Sequence, residues 1–181
     1  NEQPLVVELA CGRGEFTLGL GRQYPTQNFI GVDIKGSRIW KGSSTATAEG
    51  IQNVAFLRTQ IQQLDSFFAP SEISELWITF PDPFPRDGDE KRRLTSPRFL
   101  EMYKQLVKAG GIIHFKTDNT GLFEYTEEVL ASRSDCQVLF ATADFYASDL
   151  RDAHHGIKTR YEKIFSDKGE KIKYIQFSFI G

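Results

Sequence analysis

The sequence predicts an α/β fold on a mostly parallel seven-stranded sheet, with helices on both faces and an antiparallel hairpin at its carboxyl end. Three observations lead to this prediction. Short apolar runs typical of buried strands alternate with helical patterns as far as about residue 132. A glycine turn joins the first strand to the first helix. Beyond residue 132, two strand patterns follow without a clear helix between them, which favours antiparallel pairing.

The length and composition predict one domain. With 181 residues, the chain can bury a full-sized core, so we expect a single domain over residues 1–181. No apolar run reaches the length of a membrane span, and two cysteines are too few for a disulfide framework, so we expect a reduced, cytoplasmic protein that does not bind a membrane. The net charge of −2 means that any nucleic-acid partner must meet a local basic patch. Because the chain opens on Asn1 and not on Met, we expect a segment to precede it.

The first strand–turn–helix–strand unit contains the first candidate site. Leu5–Leu9 predicts a buried strand, the turn contains Gly12 and Gly14, and the second strand, over 28–33, ends in Asp33. Glycines let the backbone approach a ligand closely, and an acid at the end of the second strand can accept hydrogen bonds from ribose hydroxyls. This layout is that of a nucleotide-binding βαβ unit.

Two details argue against a nicotinamide cofactor. Thr17 stands where the dinucleotide fingerprint places a third glycine or alanine. Glu8 lies inside the strand before the turn, where its carboxylate would repel a pyrophosphate. Such an acid suits a ligand with a cationic end, and S-adenosyl-L-methionine has a sulfonium and an ammonium group. The alternative for Glu8 is a solvated acid at a strand end.

The other elements follow from periodicity and from capping and turn residues. Ser37 and Ser96 are candidate N-caps, and Pro97 suits the first helical position. Lys168 and Gly169 suit the turn of the final hairpin. We predict helices from about 16 to 23, over 37–50, 96–108 and 122–132, a short helix or turn over 61–68, strands over 53–58, 76–80, 112–117, 137–141 and 171–179, and a loop over 145–155.

A proline-rich turn, Pro81–Arg86, follows the fourth strand. Its three alternate prolines cannot continue a sheet ladder or begin a helix. We expect a stiff, extended turn that presents the carboxylate of Asp82 and the ring of Phe84. A group fixed in advance loses little entropy when it acts. The alternative is an ordinary proline-rich strand exit.

Several residues stand at or just beyond the predicted carboxyl ends of strands. In parallel sheets, ligands bind outside these ends, so one site would collect all of them. The side chain of Gln60 could bind an adenine edge or simply be solvated. The residues are Glu8, Gly12, Asp33, Gln60, Asp82 and Asp118.

Six motifs occur in the order of one known family: Glu8-x-x-x-Gly12-x-Gly14-Glu15, Asn28–Asp33, Pro81–Pro85, Lys91-Arg92-Arg93-Leu94, Phe115–Asn119 and Thr159-x-Tyr161-Glu162. Together they resemble the bacterial tRNA (guanine-N7)-methyltransferases over nearly the whole chain. Many methyltransferases share the glycine turn. The proline turn with its basic run and the late Thr-x-Tyr-Glu are much more specific.

The resemblance implies a Rossmann-like class I methyltransferase that transfers a methyl group from S-adenosyl-L-methionine to N7 of the variable-loop guanosine (position 46) of tRNA. S-adenosyl-L-homocysteine is the product, and no metal takes part. The implied catalytic acid is Asp82. The implied donor-binding residues are Glu8, Gly12, Gly14, Asp33, Gln60 and Asp82, and the implied substrate-binding residues are Arg86, Asp118, Thr159, Arg160, Tyr161 and Glu162. Lys91, Arg92 and Arg93 would meet RNA phosphates, unless they are only a solvated charge run.

The chain departs from the family pattern at a few places. The family usually has Trp where Phe84 stands, Asp or Asn where Gln60 stands, and His where Asp89 stands. A basic N-terminal extension of the family is absent from this sequence.

Two alternative functions stay open. N6-adenine and N4-cytosine methyltransferases also place a proline–aromatic turn after the fourth strand, usually with two prolines where this chain has only Pro83. A non-catalytic RNA-binding relative would keep the sheet and lose the chemistry. The adjacent His154 and His155 lack the pattern of a metal site. The oligomeric state, monomer or homodimer, stays undecided.

Overall fold

The computed structural model describes residues 2–153 and 155–180. Strands and helices alternate as far as residue 131, as the sequence predicts, and a further helix, which was not predicted, lies between the last two strands. The strands are β1 (Leu5–Leu9), β2 (Asn28–Asp33), β3 (Val54–Arg58), β4 (Ile73–Thr79), β5 (Val107–Thr117), β6 (Cys136–Thr142) and β7 (Lys173–Phe179), and the α-helices are α1 (Glu15–Gln23), α2 (Gly36–Ala48), α3 (Pro97–Leu106), α4 (Thr120–Ala131) and α5 (Arg160–Asp167). Short 3-10 helices lie over Ile61–Ser66, Asp87–Arg92 and Phe145–Ala147.

The seven strands form one sheet in the order β3-β2-β1-β4-β5-β7-β6. Neighbouring strands from β3 to β5 pair in parallel, whereas β7 runs antiparallel to both β5 and β6. The predicted α/β class, the mostly parallel sheet and the antiparallel carboxyl-terminal strands are therefore confirmed. The carboxyl ends of β1 to β5 all lie along one edge of the sheet.

The carboxyl-terminal pairing is made differently from the prediction. Lys168 and Gly169 do not form a two-strand turn: Lys168 ends α5, and Gly169 follows it with a φ of 79°. β7 pairs with β6 on one side and with β5 on the other, and α5 lies in the connection between β6 and β7. The predicted loop over 145–155 contains a short 3-10 helix, and His154 lies outside the described residues.

Each face of the sheet is covered by its own apolar cluster. On one face, α3 and α4 pack against side chains such as Leu76 and Phe115, both fully buried. On the other face, Phe16 of α1 packs on Trp77, with ring centroids 4.7 Å apart. Successive β4 residues thus serve opposite cores, as the two-residue period of a strand requires. Burying each such side chain contributes about 1.5–3 kcal/mol, which holds the strand ends in fixed positions.

No helix among the described residues has both the length and the apolar character that crossing a membrane requires.

Candidate active site

A cleft of about 620 Å³ opens at the carboxyl ends of β1 and β4, between α2 and α5. A hollow of similar volume, about 600 Å³, lies at the opposite edge against the amino ends of β1 and β2. Only the first lies where parallel sheets bind ligands. Its floor comprises Glu8, Ala10, Cys11, Gly12, Thr79 and Phe80, its α2 wall Ser37, Arg38, Trp40 and Lys41, and its α5 wall Thr159, Arg160, Tyr161 and Ile164, with Arg13 and Glu15 beside the glycine turn.

Glu8 lies on the floor as a buried carboxyl group, 3% exposed. Its Oε2 accepts hydrogen bonds from the backbone N–H of Thr17, at 3.0 Å, and from the Thr17 hydroxyl. Its Oε1 accepts from the Thr79 hydroxyl at 2.8 Å. Burial raises the pKa of Glu8 to about 7, although these hydrogen bonds oppose the shift. A fixed, poorly solvated carboxyl group of this kind favours a cationic ligand.

Asp33 ends β2 and is 5% exposed. Its Oδ2 accepts from the backbone N–H of Gly12 at 3.0 Å, and its Oδ1 accepts from the N–H of Lys35 at 2.8 Å. Arg38 lies 3.9 Å from the same Oδ2 and donates to the hydroxyl of Tyr161 at 3.1 Å. Asp33 is thus fixed behind the glycine turn, and Arg38 links it to α5 on the other side of the cleft.

The glycine turn depends on two left-handed residues, Gly12 at φ 59° and Gly14 at φ 75°. A Cβ on Gly12 would meet nothing within 4 Å, so this stretch of backbone is open toward the cleft. A Cβ on Gly14 would lie 2.3 Å from the ring of Phe56. Gly12 therefore leaves room for a ligand, whereas Gly14 leaves room for the core.

The proline turn bends at two non-glycine residues with positive φ, Phe80 at 49° and Phe84 at 44°. Such conformations are costly and cluster at functional sites. The turn is held from outside: Arg93 Nε donates to the Phe84 carbonyl at 3.1 Å, and the guanidinium of Arg92 lies 4.2 Å from the Phe84 ring centroid. Asp82 lies two residues beyond the cleft residue Phe80, and its side chain is exposed.

The basic run is engaged with its own loop. Arg92 pairs with Asp89 at 3.0 Å, and Arg93 packs on the ring of Tyr125 at 4.3 Å. In the described part of the chain, only Lys91 of the three has no such partner. Arg92 and Arg93 therefore brace the proline turn, and Asp89, which stands in the place of a family histidine, supplies part of that brace.

The late motif begins α5 as a capping box. The Thr159 hydroxyl accepts from the N–H of Glu162 at 3.1 Å, and the Glu162 carboxylate accepts from the N–H of Thr159. Glu162 is fully buried and pairs with Lys116 of β5, itself 1% exposed, while Tyr146 donates to Glu162 at 2.6 Å. Glu162 thus fixes the start of α5 from inside the protein, and Arg160 and Tyr161 remain at the cleft.

The cleft gathers some of the predicted site residues and leaves others outside its lining. Gln60 is exposed, and Gln62 donates to its side chain at 2.6 Å. Asp118 is half-buried, which raises the pKa of its carboxyl group, and Lys173 donates to its backbone carbonyl at 2.6 Å. The lining residues are Glu8, Gly12, Thr159, Arg160 and Tyr161, and those outside are Gly14, Asp33, Gln60, Asp82, Arg86, Lys91, Arg92, Arg93, Asp118 and Glu162.

Sequence reasoning missed several residues of this site. Thr17, treated above only as a departure from a fingerprint, proves to hold Glu8 together with Thr79. A buried carboxyl group needs hydrogen-bond donors, so the prediction of a buried Glu8 could have led to a search for nearby hydroxyl groups such as that of Thr17. Arg38 and Trp40 lie on a helix whose polarity gave no hint of a site. Among the described residues, no group of three or more His, Cys, Asp or Glu side chains could hold a metal ion.

The charges of the cleft are arranged by depth. Glu8 lies on the floor, and Glu15 is the second acid of the lining. Four cations line the cleft: Arg13, Lys41 and Arg160 are exposed, whereas Arg38 is half-buried beside Asp33. The overall charge of −2 thus conceals a local excess of positive charge at the mouth.

Comparisons with known proteins agree with this geometry. A family model described as "Putative methyltransferase" matches residues 2–175. A tRNA (guanine-N(7)-)-methyltransferase of Cytophaga hutchinsonii is 46% identical over 99% of this chain and 82% of its own length, and one of Bacteroides fragilis is 49% identical over 98% and 69%. A SAM-dependent methyltransferase from Aquifex aeolicus superposes with a TM-score of 0.65 at 11% identity, covering 100% of this chain and 85% of that one, which shows a shared fold. The chain therefore belongs to the tRNA (guanine-N(7)-)-methyltransferase family.

Proposed function

We propose that the chain transfers a methyl group from S-adenosyl-L-methionine to N7 of a guanosine in tRNA, the variable-loop guanosine at position 46. The observation that supports this most strongly is the difference in exposure of the charges that line the cleft: Glu8 is buried, whereas three cations, Arg13, Lys41 and Arg160, are exposed and form its rim. A cationic donor suits the floor, and a polyanion suits the rim.

Residues of the cleft, together with Asp33 beside it, fit the donor. Asp33 keeps lone pairs on both oxygens beyond its backbone bonds, and these can accept from two ribose hydroxyls. The open space over Gly12 admits a ligand against the backbone. Glu8 supplies negative charge near the end of β1. When bound, S-adenosyl-L-methionine supplies an electrophilic methyl group on a sulfonium.

The chemistry needs positioning more than proton transfer. Guanine N7 has a lone pair and no proton, so its methylation requires no general base, and alignment supplies much of the rate. Positive charge develops on the purine ring. A carboxylate beside the ring favours that charge and can accept from guanine N1–H and the exocyclic amine. We assign both roles to Asp82, which is exposed on the proline turn, two residues beyond the cleft residue Phe80.

The α5 wall serves the RNA in this proposal. Arg160 and Tyr161 line the cleft and can contact the target nucleotide directly. Glu162 and Thr159 act through the capping box, which sets the direction of α5. Arg86 and Asp118 are assigned to the RNA from the same edge of the sheet. The target base must leave its stack to enter the cleft.

The test is mass mapping of unmodified tRNA after incubation with the protein and labelled S-adenosyl-L-methionine. We expect one methyl group on N7 of a variable-loop guanosine and none on duplex DNA. Asp82→Asn should abolish transfer while donor binding, measured by calorimetry, stays partly intact. Glu127→Gln, on the exposed face of α4, is the matched control. Full activity in Asp82→Asn would remove Asp82 from the mechanism, and methylation at another atom would refute the proposed reaction.

A further inference from the structure

Trp40 has no role in the reaction as described, yet it is the most exposed large apolar side chain among the described residues, at 69%. It lies on the α2 wall of the cleft. In residues 2–153 and 155–180, no other aromatic ring or cation packs on its indole. Exposing an apolar surface of this size to water is unfavourable, and no contact in the described part of the free protein offsets that cost. An indole placed at the mouth of a cleft is therefore a candidate contact for a ligand.

The surroundings of Trp40 indicate which ligand. Ser37, Trp40 and Lys41 share one face of α2, at the three- and four-residue spacing of neighbours on a helix, and all three line the cleft. Across the cleft lies Tyr161, 42% exposed, whose hydroxyl accepts from Arg38. Two exposed rings in a setting of cations match the way proteins hold single-stranded nucleic acid, by stacking bases and contacting phosphates.

The donor is a poorer fit to Trp40 than the RNA. The ribose-binding acid Asp33 stands before the start of α2, whereas Trp40 lies about 6 Å further along the helix axis from Gly36. Resting on the proposed function, we infer that Trp40 is a positioning residue that stacks on an unpaired RNA base at the cleft mouth, next to the target nucleotide.

Tryptophan fluorescence tests this inference without turnover. The chain has two tryptophans, and Trp77 is 1% exposed, stacked on His114 at 3.9 Å. Unmodified tRNA should quench the emission of Trp40, and Trp40→Phe should lose the quench. An equal quench in Trp40→Phe would overturn the inference. So would full quenching by S-adenosyl-L-methionine alone, since Trp40 would then serve the donor.

Kinetics gives a second, independent test. Base stacking on an aromatic side chain corresponds to about a tenfold change in binding or more, so Trp40→Ala should raise the KM for tRNA about tenfold. The kcat and the donor Kd should stay within about twofold, and Trp40→Phe should restore most of the loss. Phe67→Ala is the matched control, because Phe67 is 52% exposed and lies outside the cleft lining. An unchanged KM in Trp40→Ala would refute the inference.

The two proposals can fail separately. If the wild-type protein binds tRNA with quenching of Trp40 but methylates another atom, the proposed reaction is refuted and the inference about Trp40 is supported. If it methylates N7 and Trp40→Ala behaves as wild type, the stacking surface falls and the reaction stands.

Discussion

Glu8 makes donor binding dependent on pH. Burial raises its pKa from 4.5 to about 7, so the group is about half protonated at neutral pH. A cationic donor above the floor favours the ionised form. Binding should therefore release a proton, and the donor affinity should rise between pH 6 and pH 8. At pH values below the pKa of Glu8, the donor affinity should change by at most about tenfold per pH unit.

The same shift affects the free energy of unfolding, with a definite sign. Because the folded pKa is above the ordinary value, the folded state holds this proton more tightly than the unfolded state does. The resulting stability is fully present below pH 4.5 and is lost as the pH rises through about 7. The difference between the folded and the ordinary pKa of Glu8 corresponds to about 3 kcal/mol of stability. Solvent does not reduce this amount, because the side chain is buried. Glu8→Gln should thus match the wild type at pH 4.5 and exceed its stability at pH 8 by up to that amount.

Two measurements check these expectations. Isothermal titration calorimetry at pH 6, 7 and 8, in buffers of different ionisation enthalpy, measures the donor Kd and the proton release together. Glu8→Gln should bind the donor more weakly and keep only the pH dependence of the donor's own amine. Urea unfolding at each pH gives the stability, with Glu49→Gln, whose side chain is 44% exposed, as the control. The same pH slope in wild type and Glu8→Gln would refute the argument.

Two further predictions concern the framework of the site. Gly14→Ala should lower the free energy of unfolding by about 3 kcal/mol, because the left-handed backbone is strained and the new methyl group clashes with the core. Gly50→Ala, at φ 68° with nothing within 4 Å of the new Cβ, should lower it by only about 1 kcal/mol. Urea unfolding measures both values, and equal losses would contradict the role given to the core. Glu162→Gln and Lys116→Met should each lower the free energy of unfolding by about 3–5 kcal/mol, because each leaves its buried partner unpaired. The double variant should recover much of this loss. Strictly additive losses in the double-mutant cycle would disprove the coupling between the two residues.

The sequence predicted β1 and β2 to the residue, because short, mostly apolar runs lie between clear turn signals. It failed between the helix predicted over 96–108 and the strand predicted over 112–117, where Gly110 and Gly111 stand. In the structure α3 ends at Leu106 and β5 begins at once. A Cβ on Gly111 would lie 2.9 Å from the carbonyl of Ser74, so this glycine lets β5 approach β4. A glycine needed for close approach of strands looks the same in a sequence as one that ends a helix.

The late motif shows a second limit of the same kind. Thr159 and Glu162 have the spacing of a capping box, which predicts the start of a helix. The family resemblance assigned both residues to substrate binding instead, so the sequence analysis did not predict α5. The structure shows the capping box and the ion pair with Lys116. One residue pair can thus begin a helix and still be essential to the site, because the helix supplies a wall of the cleft.

Two buried acids, Glu8 on the cleft floor and Asp33 beside the cleft, could be predicted and the rim could not, for a physical reason. Carboxyl ends of parallel strands must meet at one edge, so Glu8 and Asp33 converge whatever the details of packing. The rim depends on which faces α2 and α5 turn toward each other, and no local pattern encodes that. A net charge of −2 hides the rim as well, since acids elsewhere, such as Asp89, are paired within their own loops. In the proposed reaction, this difference in exposure would let one cleft accept the cationic donor near Glu8 and the RNA at its exposed cations. The two ligands then attract each other, which favours binding of the second once the first is in place.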